Sequence, residues 1–454
     1  MWYDEAVIYQ IYPLGFCGAP FSRDDASSMS GDGIKKVIGW IDHLKKLNIN
    51  TVLFNPLFES DTHGYNTRDY RKVDARLGTN EDFKEVCDAL HAAGMKVLLD
   101  GVFNHAGRGF FAFQDVLEKR WDSPYKDWFH INFDGNDGYN DGLWYEGWEG
   151  NFDLVKLNLR NEEVVRYLLE SVTYWIDTFG IDGLRLDVAY CVDRDFLKRL
   201  RAHVKGIRKD FFLFGEILGG DYKTIMNPEM CDSATNYECY KGLHSSFNSL
   251  NLFEIVHSLK RQFGPENWTL YKDMHLVSFV DNHDVTRVAS VLNNPAHLKL
   301  IYALAFAMPG IPAVYYGSEW GIKGDKSQGD PALRPSIESP EWNELTDVVA
   351  ALAKAEQETP AMVYGDFHEL VLQNQYCVLE REYFGGGEDM TTSGGMDLSK
   401  PDRIMIAVNA SDNEVRIDFN ARAGRARDLI TGETIDFGGG LVIPACRAYV
   451  LQPY

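Results

Sequence analysis

The sequence predicts an α/β fold: a (β/α)8 TIM barrel, a small domain inserted after its third strand, and a C-terminal antiparallel β-sandwich domain. Three observations carry this. Short apolar runs alternate with amphipathic helical stretches along most of the chain. Four of those runs end in acidic residues, at Asp100, Asp187, Glu216 and the pair Asp281 and Asp284. Past residue 359 the rhythm changes to short strands without helices between them. The expected domains are the barrel over 1–358, the insertion over 101–158 within it, and the β domain over 359–454.

Residues 6–12 form an apolar run stopped by Pro13, the first strand. Residues 34–47 place Ile34, Val37, Ile38, Ile41, Leu44 and Leu47 on one helical face. Thr51-Val52-Leu53-Phe54 is the second strand, ended by Asn55-Pro56. Residues 80–93 are helical, with Asn80 as N-cap and Gly94 past the end. The third strand covers 96–100. From 101 to about 158 the chain is rich in Gly, Asn, Asp and Trp and shows no long period, which reads as an insertion on the catalytic face. A helix over 162–179 leads into the fourth strand. The fifth ends at Glu216, and 233–237 is a weak sixth. Residues 252–263 are helical, 275–280 form the seventh strand, 298–307 a helix and 311–316 the eighth strand. A helix over 341–356 closes the barrel. Strands follow at 376–381, 404–408, 415–419 and 449–451, and 385–395 reads as a mobile hairpin loop.

The fourth strand, Gly183-Leu184-Arg185-Leu186-Asp187-Val188, organises the rest. Alternation puts Arg185 and Asp187 on one face and Leu184, Leu186 and Val188 on the other. In a barrel the apolar face meets the helices, and Asp187 reaches the C-terminal rim, where barrel enzymes carry their chemistry. Arg185 keeps Asp187 ionised. On this stretch alone a structural ion pair explains the pattern as well. The other acidic strand ends tip the balance, because carboxylates converging on one mouth repel each other unless function requires them.

The chain has 454 residues, 45% of them hydrophobic, and a net charge of −22. It can bury a large core, and no basic patch offers a site to nucleic acid or an anionic membrane. No run of about 18 apolar residues exists to span a bilayer. Seven cysteines without a CxxC spacing read as reduced thiols. Met1-Trp2-Tyr3-Asp4-Glu5 has no leader-like charge or apolar segment, so a cytoplasmic protein is expected.

Asp100-x-x-x-Asn104-His105, Gly183-x-Arg185-x-Asp187, Gly215-Glu216 and Asn282-His283-Asp284 resemble, in order, the four main motifs of the α-amylase superfamily, glycoside hydrolase family 13. The resemblance covers nearly the whole chain. It implies a retaining α-glycosidase with Asp187 as nucleophile, Glu216 as general acid/base and Asp284 as a third carboxylate holding the distorted sugar. Arg185, His105, His283 and Asp100 would surround the reacting ring. His63-Gly64-Tyr65 is similar to the family loop whose tyrosine stacks on the sugar at the cleavage point. Retaining hydrolysis needs one ionised and one protonated carboxyl about 5–5.5 Å apart. Crowding by Asp187 and Asp284 is expected to raise Glu216. Trp144, Tyr145 and Trp148, in the inserted segment, read as sugar platforms or as that segment's own core; Trp144 is counted among the substrate-binding residues.

Within the superfamily the chain looks most like the neopullulanase, cyclomaltodextrinase and maltogenic amylase group. Asn55-Pro56-Leu57-Phe58-Glu59 and Leu154-Val155-Lys156-Leu157-Asn158 are similar to that group. Three departures stand out. The chain enters the barrel by residue 7, without the group's N-terminal domain, so a monomer or a homodimer is expected. Tyr190 and Cys191 replace the Lys-His of many amylases and the Asn-Glu of this group. That change does not abolish a backbone-completed calcium site, but no required calcium or other cofactor is expected. Ile217 and Leu218 follow Glu216 where the group often has a bulky aromatic. His105 and His283 lack companions at metal-ligand spacing, so no metal site is assigned. The implied activity is hydrolysis of α-1,4 bonds in maltooligosaccharides, starch fragments or cyclodextrins. The alternatives are transglycosylation on the same intermediate and non-catalytic sugar binding.

Overall fold

The computed structural model describes residues 1–22, 33–386, 391–392 and 394–454. Eight parallel strands form the barrel: β1 (Ile8–Ile11), β2 (Thr51–Phe54), β3 (Lys96–Gly101), β4 (Gly183–Leu186), β5 (Phe212–Gly215), β6 (Ser233–Ala234), β7 (Val277–Phe279) and β8 (Ile311–Tyr315). Neighbours pair in chain order from β1 to β6, β7 pairs with β8, and β8 pairs with β1. The remaining seam, between β6 and β7, is held by a parallel bridge from Thr235 to Val277 and by the Asn236 amide donating to the Val277 carbonyl at 2.9 Å.

Side chains sort as strand alternation requires. Leu184 and Leu186 face the helices and join the large core there, as do Phe211 and Leu213. Phe212 and Phe214 turn inward and pack with Ile8, Leu53, Leu98, Val277 and Ile311. Trp2 and Tyr3 plug the lower end, Tyr3 stacked on Phe212 with ring centroids 4.6 Å apart. An apolar floor below leaves the upper interior to polar groups.

The outer layer comprises α1 (Ile41–Lys46, preceded by a 3-10 turn at Gly33–Trp40), α2 (Asn80–Ala92), α3 (Glu162–Phe179), α4 (Arg194–Ile207), α5 (Tyr237–Ser249), α6 (Phe253–Phe263), α7 (Leu298–Ala307) and α8 (Glu344–Glu358). Two expectations change here. Thr79, not Asn80, caps α2: its hydroxyl accepts from the Asp82 amide, and Asp82 reciprocates in a capping box. The expected strand over 233–237 stops at Ala234, because Asn236 caps α5 by accepting from the Cys239 amide.

The segment between β3 and α3 is less irregular than its composition suggests. It contains a helix, Phe111–Lys119, and a three-stranded sheet of His105–Gly107, Asn151–Lys156 and Gly147–Trp148. The C-terminal region forms a six-stranded antiparallel sheet in the order β9-β10-β11-β16-β13-β14. These are β9 (Asp366–Leu372), β10 (Tyr376–Tyr383), β11 (Asp402–Asn409), β13 (Arg425–Asp428), β14 (Thr434–Asp436) and β16 (Arg447–Pro453). A two-stranded sheet of β12 (Val415–Ile417) and β15 (Leu441–Ile443) covers one face, with Ile417, Leu441 and Ile443 packed on Val378, Met405 and Leu451. The other face, with Leu379, Ile404, Ile406 and Val450, joins the barrel's core. The loop expected at 385–395 lies partly outside the described residues.

Candidate active site

The C-terminal rim of the barrel opens into a cleft of about 460 Å³. Asp187, Glu216 and Asp284 all line it, with Tyr65 and His105. Asp187 and Glu216 arrive by the same device, a strand that ends where the side chain must leave the barrel, while Asp284 sits in the turn beyond β7. Asp187 follows β4 with its amide still bonded to the Gly101 carbonyl at 3.1 Å; Glu216 follows β5, bonded to the Leu186 carbonyl at 2.9 Å.

Arg185 ties the floor together. One guanidinium nitrogen lies 2.6 Å from Asp100 Oδ2 and 3.2 Å from Asp187 Oδ1; the other lies 2.8 Å from Glu216 Oε1. Asp100, Arg185 and His283 do not reach the cleft wall. They lie buried beneath it, and Arg185 and His283 border a small internal void of about 20 Å³. Asp281 is apart from the site. It is fully buried, accepting from the Ser318 hydroxyl and the Val288 amide at 2.8 and 2.7 Å.

Val188, next to Asp187, has φ +39, a genuine outlier for a β-branched residue. The turn aims its amide at Glu216 Oε2, 2.9 Å away. Backbone strain is thus placed where it fixes the second carboxyl relative to the first.

Electrostatics separate Asp187 from Asp284. Burial pushes Asp187 well above the usual carboxylate range; Arg185 opposes this, while Glu216, Asp100 and Asp284 add to it. The sequence leads one to expect Arg185 to keep Asp187 ionised; the structure differs because Arg185 makes its shorter contacts to Asp100 and Glu216, leaving Asp187 the less compensated. Asp187 and Glu216 share one cation. Burial also works against ionised Asp284, but His283 and then Arg334 and Arg185 outweigh it and hold Asp284 well below the usual range. His283 Nε2 is 2.9 Å from Asp284 Oδ2, and Arg334 Nη2 is 3.0 Å from Oδ1. Burial pushes His105 down to about 3. Its Nε2 is buried without a hydrogen-bond partner and lies 3.9 Å from Asp187 Oδ2, so a donor is poised for an incoming oxygen.

Trp144 does not line the cleft. It lies on the strand Trp144–Tyr145, 41% exposed, while Trp148 takes a place in the wall and Tyr145 is buried. Tyr237, Asp330 and Arg334 line the cleft without having been singled out in the sequence. Tyr237 opens α5; its hydroxyl accepts from Asn282 at 2.9 Å and approaches Glu216 Oε1 at 3.5 Å. Among the described residues, no cluster of three or more His, Cys, Asp or Glu is arranged to hold a metal ion.

Comparison with known proteins agrees with this geometry. Residues 10–360 match the model of the alpha amylase catalytic domain. The chain belongs to the alpha-amylase family. It is an α-glycosidase within it, similar to cyclomaltodextrinases, maltogenic amylases and neopullulanases. It is 29% identical to a cyclomaltodextrinase of Thermoanaerobacter pseudethanolicus over 99% of this chain and 78% of that one. It is 31% identical to a maltogenic alpha-amylase of Bacillus acidopullulyticus over 97% of this chain and 75% of the relative. The cyclic α-maltosyl-(1→6)-maltose hydrolase of Arthrobacter globiformis, solved with that sugar, superposes with a TM-score of 0.78 at 26% identity, covering 99% of both chains.

Proposed function

We propose that this alpha-amylase family member hydrolyses α-1,4-glucosidic bonds in short maltooligosaccharides, starch fragments or cyclodextrins with retention of configuration. The observation that carries this reading is the single guanidinium of Arg185 lying between Asp187 and Glu216 at the floor of the cleft. Two carboxyls linked this closely favour a covalent glycosyl-enzyme over a water held between them.

In this reading a glucosyl ring settles over Tyr65 with His105 Nε2 donating to one of its oxygens. Glu216 protonates the glycosidic oxygen while Asp187 attacks the anomeric carbon. Asp187 therefore reacts ionised, and Glu216 carries the proton once substrate is bound. Asp284, anchored by His283 and Arg334, holds the ring as positive charge develops. Glu216 then takes a proton from water, which attacks the intermediate. A positioned acid contributes roughly 10²–10⁴ in rate. No step is assigned to calcium, and activity is expected to survive EDTA. Trp148, Tyr190 and Leu218 give the cleft an apolar wall beside Glu216, suited to an acceptor sugar, so some transglycosylation is expected beside hydrolysis.

Seven free cysteines fit a reducing, cytoplasmic setting. The protein is expected to act as a monomer or homodimer, without nucleic acid or membrane partners.

The test is product analysis from maltoheptaose, β-cyclodextrin and pullulan, with Asp187→Asn and Glu216→Gln in parallel. Maltose or glucose formed as the α-anomer, and lost in Asp187→Asn, is the expected result. Products of inverted configuration, or an active Asp187→Asn, would overturn the assignment.

A further inference from the structure

Gln10, on β1, never touches the cleft, yet it stands between two parts of the site. Its Nε2 lies 2.8 Å from Asn55 Oδ1 and 2.9 Å from His283 Nδ1. Asn55 Nδ2 lies 3.0 Å from Asp100 Oδ2 and 3.2 Å from the Tyr65 hydroxyl. All these groups except Tyr65 are buried.

Hydrogen-bond polarity runs through this chain in one direction only. Asp100, paired with Arg185 at 2.6 and 2.8 Å, can only accept. Asn55 must therefore turn its amide nitrogen to Asp100 and its oxygen to Gln10. Gln10 must then present its own nitrogen, with one hydrogen to Asn55 Oδ1 and the other to His283 Nδ1. That leaves Nδ1 bare and puts the ring's proton on Nε2, which faces Asp284 Oδ2 at 2.9 Å. The Tyr65 hydroxyl also contacts Nε2. Its proton is engaged with Asp100 at 3.0 Å, so its oxygen is free to accept as well. Reversing the Gln10 amide would set oxygen against oxygen at Asn55, and turning Asn55 to suit would do the same at Asp100. Each such mismatch leaves buried polar atoms unpaired.

We propose that Gln10 is a positioning residue that locks His283 in its Nε2–H tautomer, so that Asp284 always meets a proton donor and is held in one orientation. The polarity originates at the Arg185–Asp100 pair and reaches Asp284 through three side chains. The carboxylate on the far side of the cleft is thereby oriented by the same cation that lies between Asp187 and Glu216.

Two measurements test this. Ring-¹⁵N spectra of histidine-labelled enzyme, with His283 assigned by its Asn variant, should show Nδ1 unprotonated and Nε2 protonated. A protonated Nδ1 in the wild-type enzyme overturns the proposal, whatever the variants do. The kinetic arm rests on the glycosidase reading and uses a double-mutant cycle. Gln10→Met keeps the packing and removes the donor; it should lower kcat/KM about 10–100-fold, mostly through kcat, as small misplacements at a reacting centre do. On a His283→Asn background the same change should cost little more, because Gln10 acts only through His283. An equal loss on both backgrounds, or none on either, refutes the positioning role. If the glycosidase reading itself fails, the enzyme shows no activity to compare while the tautomer result still stands.

Discussion

Glu356, in the last turn of α8, carries a prediction whose size follows from its surroundings. It is fully buried, and both carboxyl oxygens lack a hydrogen-bond partner. Arg381 on β10 is the charge that opposes its burial. That guanidinium spends its donors on the carbonyls of Gly365, Ala307 and Val363 at 2.8, 3.0 and 3.2 Å. Burial therefore pushes Glu356 from 4.5 up to about 8. Between those values the folded protein holds a proton that the unfolded chain has released. Stability falls as pH rises through the window, by about 1.4 kcal/mol per pH unit and about 5 kcal/mol across all of it. Glu356→Gln keeps the shape of the protonated acid and removes the titration. Melting temperatures of the two proteins should lie close at pH 5 and separate by pH 8, the variant melting higher by about 4–5 °C, since a chain of this length shifts by about 1 °C per kcal/mol. Parallel melting curves from pH 5 to pH 8 would refute the argument, since Glu356 would then hold the same charge throughout.

Other expectations concern the site. Arg185→Met leaves Asp100, Asp187 and Glu216 without their shared cation and should cost about 3–5 kcal/mol by chemical denaturation. Adding Asp100→Asn should restore part of that stability but none of the activity. Val188→Gly relieves the positive φ while Val188→Ala keeps it, so the glycine variant should be at least as stable as the alanine variant; a glycine variant weaker by about 1 kcal/mol, its usual entropic cost, would argue against strain there. His105, pushed down to about 3, stays neutral through the working range. Its burial as a neutral ring stabilises the fold above pH 6.5 and is lost as pH falls toward 3, so His105→Gln should flatten the acid side of the stability profile.

The barrel and the carboxylates were legible because each rests on a local pattern. A buried strand is a short apolar run, and a residue at its end needs no knowledge of distant loops to be placed on the rim. Tyr237 was not legible: Asn236 marks a helix start, but Ser233 to Tyr237 also carries a strand's alternation, and only the barrel's closure decides between them. Thr79 and Asn80 posed a similar choice. Both can cap, and the Asp82 three positions after Thr79 was the available signal. Trp144 and Trp148 could not be separated, since which indole meets the cleft depends on how the short strands of the insertion turn. Asp330 and Arg334 belong to the long connection after β8, where charged side chains read as solvated surface until the loop folds back over Asp284. The network from Asp100 to His283 joins β1, β2, β3 and the end of β7, and such a link between strands leaves no trace in spacing.

The seam between β6 and β7 bears on how this enzyme would fail. Every other pair of barrel strands is laced by several rungs, whereas here one bridge and the Asn236 amide close the circle. The same few residues support Glu216: Thr235 Oγ1 receives the Ile217 amide at 3.0 Å, and Tyr237 reaches Glu216 Oε1. A cylinder opens first at its weakest stitch, and this one sits directly behind Glu216, the proposed proton donor. Heating should therefore silence the enzyme while most of its helices are still intact, with amide exchange at 235–236 rising in step with the loss of turnover.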